Sequence, residues 1–235
     1  MTTTRRPPAR PGAAPDRGRA VWIGGLVLVV LLGIVAVLVA AGGDDEVDED
    51  VASRQTAPVE VTTGSGTTVE APADALLPTF EEGAADEAVG RTIPTVTGRT
   101  FDGEELTIGP DGTAKVIVFV AHWCPHCQRE VPVIVDHLAD APMPDDVELV
   151  TVSTAVAPDR GNYPPEAWLE EEGWTAPVLA DSEDGAAATA FGLKTFPYFV
   201  AVDADGEVVQ RASGELPPEV FDQLVEAART GEPPT

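Results

Sequence analysis

The chain has only two cysteines, Cys124 and Cys127, and they sit two residues apart in the run Cys124-Pro125-His126-Cys127. The apolar run Val116-Ile117-Val118-Phe119-Val120 precedes them, and a helix-like stretch, 128–139, follows. A buried strand that leads into a helix carrying C-x-x-C at its first turn is a redox arrangement. The helix start offers unpaired N–H groups to the first sulfur and so favours its thiolate, the form that attacks a disulfide. The second sulfur, one turn on, can close the ring and release what the first has captured. Two other readings compete: half of a zinc site, and a purely structural disulfide. A structural zinc needs four ligands. There is no second cysteine pair, and His122, His126 and His137 do not follow at finger spacing. The redox reading therefore leads, and it calls for no metal and no cofactor.

The N-terminal part addresses location. Residues 21–41 carry no charge, and a helix of that length crosses a hydrocarbon core of about 30 Å. Arg5, Arg6, Arg10, Arg17 and Arg19 precede the stretch, and an acidic run from Asp44 to Asp50 follows it. Basic residues favour the cytoplasmic side. The expectation is a cytoplasmic basic tail (1–20), one transmembrane helix (21–41), and an extracytoplasmic remainder at the cell membrane. A cleaved signal peptide, cut after Ala40-Ala41 and leaving a secreted protein, is the alternative. Both place the cysteines in a disulfide-permissive space. Residues 42–90, rich in Ala, Thr, Gly, Pro and acids, read as a disordered acidic linker acting as a tether. The net charge of −26 argues against a nucleic-acid partner, which needs a basic patch.

From 91 to 235 the composition is globular, and the length suffices for one core. Segments 95–100 and 104–108 flank Asp102-Gly103 and read as a hairpin. The run 115–121 reads as a central strand and 125–139 as the helix bearing the motif. Strands are expected at 147–152, 198–202 and 208–212, a brief apolar element at 177–180, and helices at 164–172, 184–191 and 217–229. Alternating strands and helices, closed by a hairpin and an amphipathic helix, give a mixed α/β sheet covered on both faces. Pro132 falls inside the motif helix, where it should kink the helix rather than act chemically. Trp168 and Trp174 read as packing residues, and His122 and His137 as surface residues.

Trp123-Cys124-Pro125-His126-Cys127 together with Thr195-Phe196-Pro197 resembles the thioredoxin fold. The hairpin before the motif, and the inserted strand and helix between it and Pro197, resemble the membrane-anchored TlpA/ResA branch over about 89–228. The resemblance implies that Cys124 is the nucleophile, that Cys127 resolves, and that Pro197 is cis and faces them. It also implies that Glu130 helps proton transfer, with Trp123, Pro125 and Phe196 shaping substrate approach. Taken alone, Pro197 also reads as a trans edge-strand proline, Glu130 as a solvated acid of the first turn, and His126 as an exposed residue. Ordinary thioredoxins carry a buried aspartate six residues before the first cysteine; here Val118 stands there, and Glu130 is the substitute. Pro-His between the cysteines is instead DsbA-like, and His126 then stabilises the Cys124 thiolate.

The resemblance implies a thiol–disulfide oxidoreductase acting on extracytoplasmic cysteine-containing proteins and reset by a membrane or extracytoplasmic redox partner. Its TlpA/ResA-like form is a reductase, for instance in cytochrome c maturation; the alternative is a DsbA-like oxidase. A thiol peroxidase would place a lone attacking cysteine after a Pro/Thr-bearing loop. A Sco-like copper carrier would use C-x-x-x-C and a distal histidine. Neither pattern occurs in the sequence.

Overall fold

The computed structural model describes residues 49–62 and 76–233. The proposed membrane segment, 21–41, lies outside the described residues; among them, no helix is long and apolar enough to cross a membrane. In chain order the elements are α1 (Glu49–Arg54), β1 (Glu60–Thr62), β2 (Thr95–Arg99), β3 (Glu105–Ile108), β4 (Ala114–Val120) and α2 (Pro125–Asp140). Then follow β5 (Val147–Ser153), α3 (Pro165–Glu171), β6 (Val178–Ala180), α4 (Ala186–Ala190), β7 (Tyr198–Val202), β8 (Val208–Ser213) and α5 (Pro218–Thr230).

The strands form one sheet in the order β1-β2-β6-β5-β4-β7-β8, with β3 paired to β2. β4 is central. It runs parallel to β5 over 114–120 and antiparallel to β7 through Lys115↔Val202 to Phe119↔Tyr198. All seven of its residues are buried. A strand covered on both faces cannot alternate apolar with polar, which is why 116–120 reads as one apolar run. Alternate residues serve opposite layers. Val116, Val118 and Val120 pack with Val131 and Ile134 of α2 and Phe221 and Leu224 of α5. Ile117 and Phe119 pack with Phe191, Tyr198 and Ile108 on the other side. The hairpin, the central strand, the motif helix and the closing helix all form where the sequence places them, within one or two residues. α2 begins with Pro125 at its first position, where a missing N–H costs nothing. It continues through Pro132 to Asp140.

The expected tether, 42–90, is corrected over two stretches. Gln55 is fully buried and joins α1 to α3: its Nε2 donates to Glu166 Oε2 at 3.0 Å, and its Oε1 accepts from the Glu166 N–H at 3.0 Å. Strand β1 then adds an antiparallel edge to β2. Further on, Leu77 and Ala88 are core residues. The N–H groups of Leu77 and Phe80 donate to the carbonyls of Ala190 and Gly192 at 2.9 Å each. A Cβ on Gly192 would stand 2.3 Å from the Pro78 carbonyl oxygen, so only glycine permits this approach. Buried Arg211 completes the anchor. It pairs with Asp86, donates to Pro78 O at 2.8 Å and to Tyr198 Oη at 3.0 Å, and lies over the Phe80 ring. The guanidinium holds the Asp86 carboxyl below its ordinary value against the opposing effect of burial. Apart from β2, these partners lie more than a hundred residues away in sequence, so local composition carries no trace of them.

Candidate active site

Cys124 is the N-cap of α2, with extended backbone (φ −76°, ψ 119°). The first intrahelical bond is donated by the Gln128 N–H to Cys124 O at 3.0 Å. Ahead of it, Pro125 has no N–H to offer, and His126 and Cys127 are the donors of the open first turn. Cys124 keeps 6% of its surface exposed and Cys127 none. The reading of an outer and an inner sulfur holds in order, although both residues are mostly covered. Burial pushes the Cys127 thiol well above its ordinary range, and the Cys124 sulfur and Glu130 add to the rise. Cys127 therefore cannot become a thiolate unless a nearby group takes its proton.

Glu130 is the acid whose charge adds to that rise. It lies one turn beyond Cys127, is 2% exposed, and accepts the Leu216 N–H on both carboxylate oxygens at 3.1 Å. Burial lifts its pKa from 4.5 to about 7, outweighing the lowering by the Leu216 hydrogen bond. Glu130 is thus not a solvated surface acid. A carboxyl that ionises near neutrality inside the core can accept and return a proton at working pH. Val118, at the position of the missing aspartate, is fully buried and apolar.

Pro197 is buried, and the Phe196–Pro197 bond is cis. The Pro197 carbonyl accepts the Gly214 N–H at 2.9 Å. Trp123 and Phe196, both partly exposed, meet edge to face with centroids 6.1 Å apart. Pro125 is exposed at the helix start. Together these residues form an apolar rim beside the cysteines.

His126 is exposed, but it does not stand free beside the thiolate. Its Nδ1 lies 2.6 Å from Glu215 Oε1 and 2.9 Å from Arg129 Nη2. Arginine only donates, so Nδ1 accepts from Arg129 when bare and donates to Glu215 when it carries the proton. Arg129 grips Glu215 with its Nε at 3.1 Å from both oxygens and Nη2 at 2.5 Å from Oε1. The hydrogen bonds from Arg129, and after it His126, hold the Glu215 carboxyl at about 2.

Two features lie outside the sequence reading. The first is His122, expected at the surface but fully buried. Its Nε2 accepts the Ala157 N–H at 3.1 Å, so its Nδ1 carries the proton and donates to Gly161 O at 2.8 Å. Burial lowers its pKa and keeps it neutral. With Trp123 Nε1 donating to Ala155 O at 2.7 Å and Arg160 stacked 4.7 Å over the Trp123 ring, it fixes the loop 155–163 beside the site. A buried neutral imidazole needs one donor and one acceptor, and nothing local to His122 announces the loop that supplies both. The second is the tripeptide 214–216, which reaches Pro197, Arg129 with His126, and Glu130 in turn. Its partners are up to 89 residues away in sequence. His137, also expected at the surface, is partly covered by Phe221 and bonds Asp222 at 2.7 Å, away from this cluster.

The fold, the paired sulfurs of unequal burial and the buried acid together define a thioredoxin-like thiol–disulfide oxidoreductase. The chain belongs to the Redoxin family, which it matches over residues 88–227. It is 26% identical over 152 residues to sporulation thiol-disulfide oxidoreductase A of Bacillus subtilis, covering 64% of this chain and 90% of that protein. It is 27% identical over 147 residues to a thiol:disulfide interchange protein DsbE homolog of Paracoccus denitrificans, covering 60% of this chain and 75% of the relative. A structure from Chlorobium tepidum, assigned as a DsbE thiol:disulfide interchange protein, superposes with a TM-score of 0.50 at 20% identity. It covers 60% of this chain and 96% of that one, and shows the fold.

Proposed function

We propose that this protein is a membrane-tethered, extracytoplasmic reductase of the TlpA/ResA kind, which passes electrons from a membrane or extracytoplasmic redox partner to disulfides in protein substrates. The observation that carries this reading is Glu130 buried beside the inner cysteine, with the outer cysteine at the open helix start. Reduced Cys124, as thiolate, attacks a substrate disulfide; one substrate thiolate leaves and a mixed disulfide forms. Glu130 takes the Cys127 proton, and the Cys127 thiolate attacks the Cys124 sulfur. The second substrate thiolate leaves, and the Cys124–Cys127 disulfide remains, two electrons poorer than at the start. The partner then returns two electrons. Cysteines of c-type apocytochromes are one substrate class that the resemblance implies. The Arg-rich start and apolar run 21–41 support the membrane anchor and the external placement of 91–235.

The second reading, a DsbA-like oxidase, is favoured by one observation: the Arg129 cation, in contact with His126, lies within electrostatic reach of Cys124. The reduction potential decides between them. Thioredoxin lies near −270 mV and DsbA near −120 mV. A value in the lower half of that range supports the reductase, and a value near the upper end overturns it. Roles of the sulfurs are tested by trapping: Cys127→Ser should accumulate mixed disulfides, and Cys124→Ser should not. Equal trapping by both would refute the assignment.

A further inference from the structure

The tripeptide Gly214-Glu215-Leu216 touches every part of the site from one short stretch of backbone. Gly214 (φ +84°) turns the chain out of β8 in a conformation that side-chain-bearing residues rarely adopt. Its N–H is bound to Pro197 O, and the next N–H but one, that of Leu216, is bound to Glu130. Between them the Glu215 side chain points the other way, to the outer face of α2, and closes on Arg129 and His126. Those two are the basic side chains of the motif helix nearest Cys124; Arg129 is the standing cation, within electrostatic reach of that sulfur, and His126 joins it only when protonated. A cation at a helix start stabilises a thiolate there. A cation already paired with a carboxylate does so far less.

We propose that Glu215 is a positioning residue that sets the redox poise of the Cys124–Cys127 pair, by holding Arg129 and His126 in an ion-paired cluster and so withholding their charge from the Cys124 thiolate. The chemistry is that of disulfide exchange at this pair, and the inference rests on that activity, not on its direction. Stabilising the thiolate stabilises the reduced form; masking the cations shifts the pair toward the disulfide and makes it more reducing. This reconciles a Pro-His dipeptide of the oxidising kind with a fold of the reducing kind: the cation is present but engaged. The other charged groups facing the cluster are consistent with this. Glu130 lies on the inner side of the helix and is bound to Leu216, so the outer cations have Glu215 as their carboxylate partner.

The test is the equilibrium of the full-length protein with glutathione at pH 7 and low salt, with and without Glu215→Gln. Gln keeps the side-chain shape and leaves the Leu216 backbone bond to Glu130 in place, while removing the Glu215 charge that helps raise the Glu130 carboxyl. Exposed ion pairs are partly screened, so the expected shift is a few-fold to about tenfold toward the reduced form. Tenfold corresponds to a rise of about 30 mV for a two-electron couple. Alkylation of Cys124 by iodoacetamide at pH 6 should quicken in parallel. The same substitution is then made in an Arg129→Gln/His126→Gln background, where its effect should fall below about twofold. Three results overturn the proposal: an unchanged equilibrium in Glu215→Gln, a shift toward the disulfide, or a shift of full size in the background lacking both cations. The last would mean that Glu215 acts on the sulfurs directly or through Glu130, and not through the two basic side chains. The wild-type potential tests the reductase reading by itself, so failure of one idea is separable from failure of the other.

Discussion

Replacing Glu130 with Gln tests both halves of the role given to it. The carboxyl ionises at about 7 in the fold against an ordinary 4.5. At about 1.4 kcal/mol per pH unit, ionising it inside the core costs roughly 3 kcal/mol. The sign follows from proton counting. Between pH 4.5 and 7 the folded chain binds more protons at this site than the unfolded chain, so stability falls as pH rises through that window. The contribution is intact below 4.5 and lost above about 7. Glu130→Gln removes it, but also leaves amide donors among apolar neighbours, a pH-independent cost of about 1–3 kcal/mol. The informative quantity is therefore the change in the difference between the two proteins, not its size at one pH. Guanidinium denaturation of both reduced proteins from pH 4 to 8.5 should show the variant gaining about 3 kcal/mol on the wild type across that range. The other half is kinetic. Decay of a preformed mixed disulfide at Cys124 should slow below pH 7 in the wild type. In the variant it should be about 10²-fold or more slower, with no inflection near 7. Stability curves that stay parallel, or a variant that resolves at the wild-type rate, would refute the reasoning.

His122→Ala should free the loop 155–163 without disturbing the sheet. Trypsin at pH 8 should then cut after Arg160 at least several-fold faster than in the wild type; an unchanged rate would show that Trp123 alone holds the loop. Because burial lowers the His122 pKa, its contribution to stability is present above about 6.5 and is lost as pH falls below that value. Loop cleavage by a protease active at pH 5 should accordingly rise in the wild type and not in His122→Ala. Arg211→Ala leaves Asp86, Tyr198 Oη and Pro78 O without their shared donor in a buried setting. A loss of about 3–5 kcal/mol in denaturation is expected, with early exposure of residues 76–90 to hydrogen exchange. For the topology, protease added to cells whose wall has been opened should remove the catalytic domain and leave a small membrane fragment. A domain protected until the membrane is lysed would reverse the orientation.

What the sequence determines here is local and periodic. The apolar run of five residues, 116–120, is a strand covered on both faces, Asp-Gly marks a hairpin, and Pro at the first helical position marks where α2 begins. The C-x-x-C spacing carries the two sulfurs, and Glu130, one turn past Cys127, lies on their helix, so its nearness was legible. Its burial was not, because the cover comes from Leu216 of a distant loop. The same limit explains the other differences. Residues 49–62 and 76–90 have the composition of a tether, yet Gln55, Leu77, Asp86 and Ala88 find partners on α3, α4 and β8 that outweigh composition. His122 carries no local sign of burial, since the carbonyl and N–H that satisfy it belong to a loop 35 to 39 residues on. His126 is named by the motif, but whether it faces a thiolate or a carboxylate is decided by Glu215, 89 residues away. Backbone propensity and hydrophobic period act between neighbours in the chain, so a sequence reveals them. Desolvation and ion pairing depend on which surfaces the fold brings together, and those surfaces exist only once the sheet has closed.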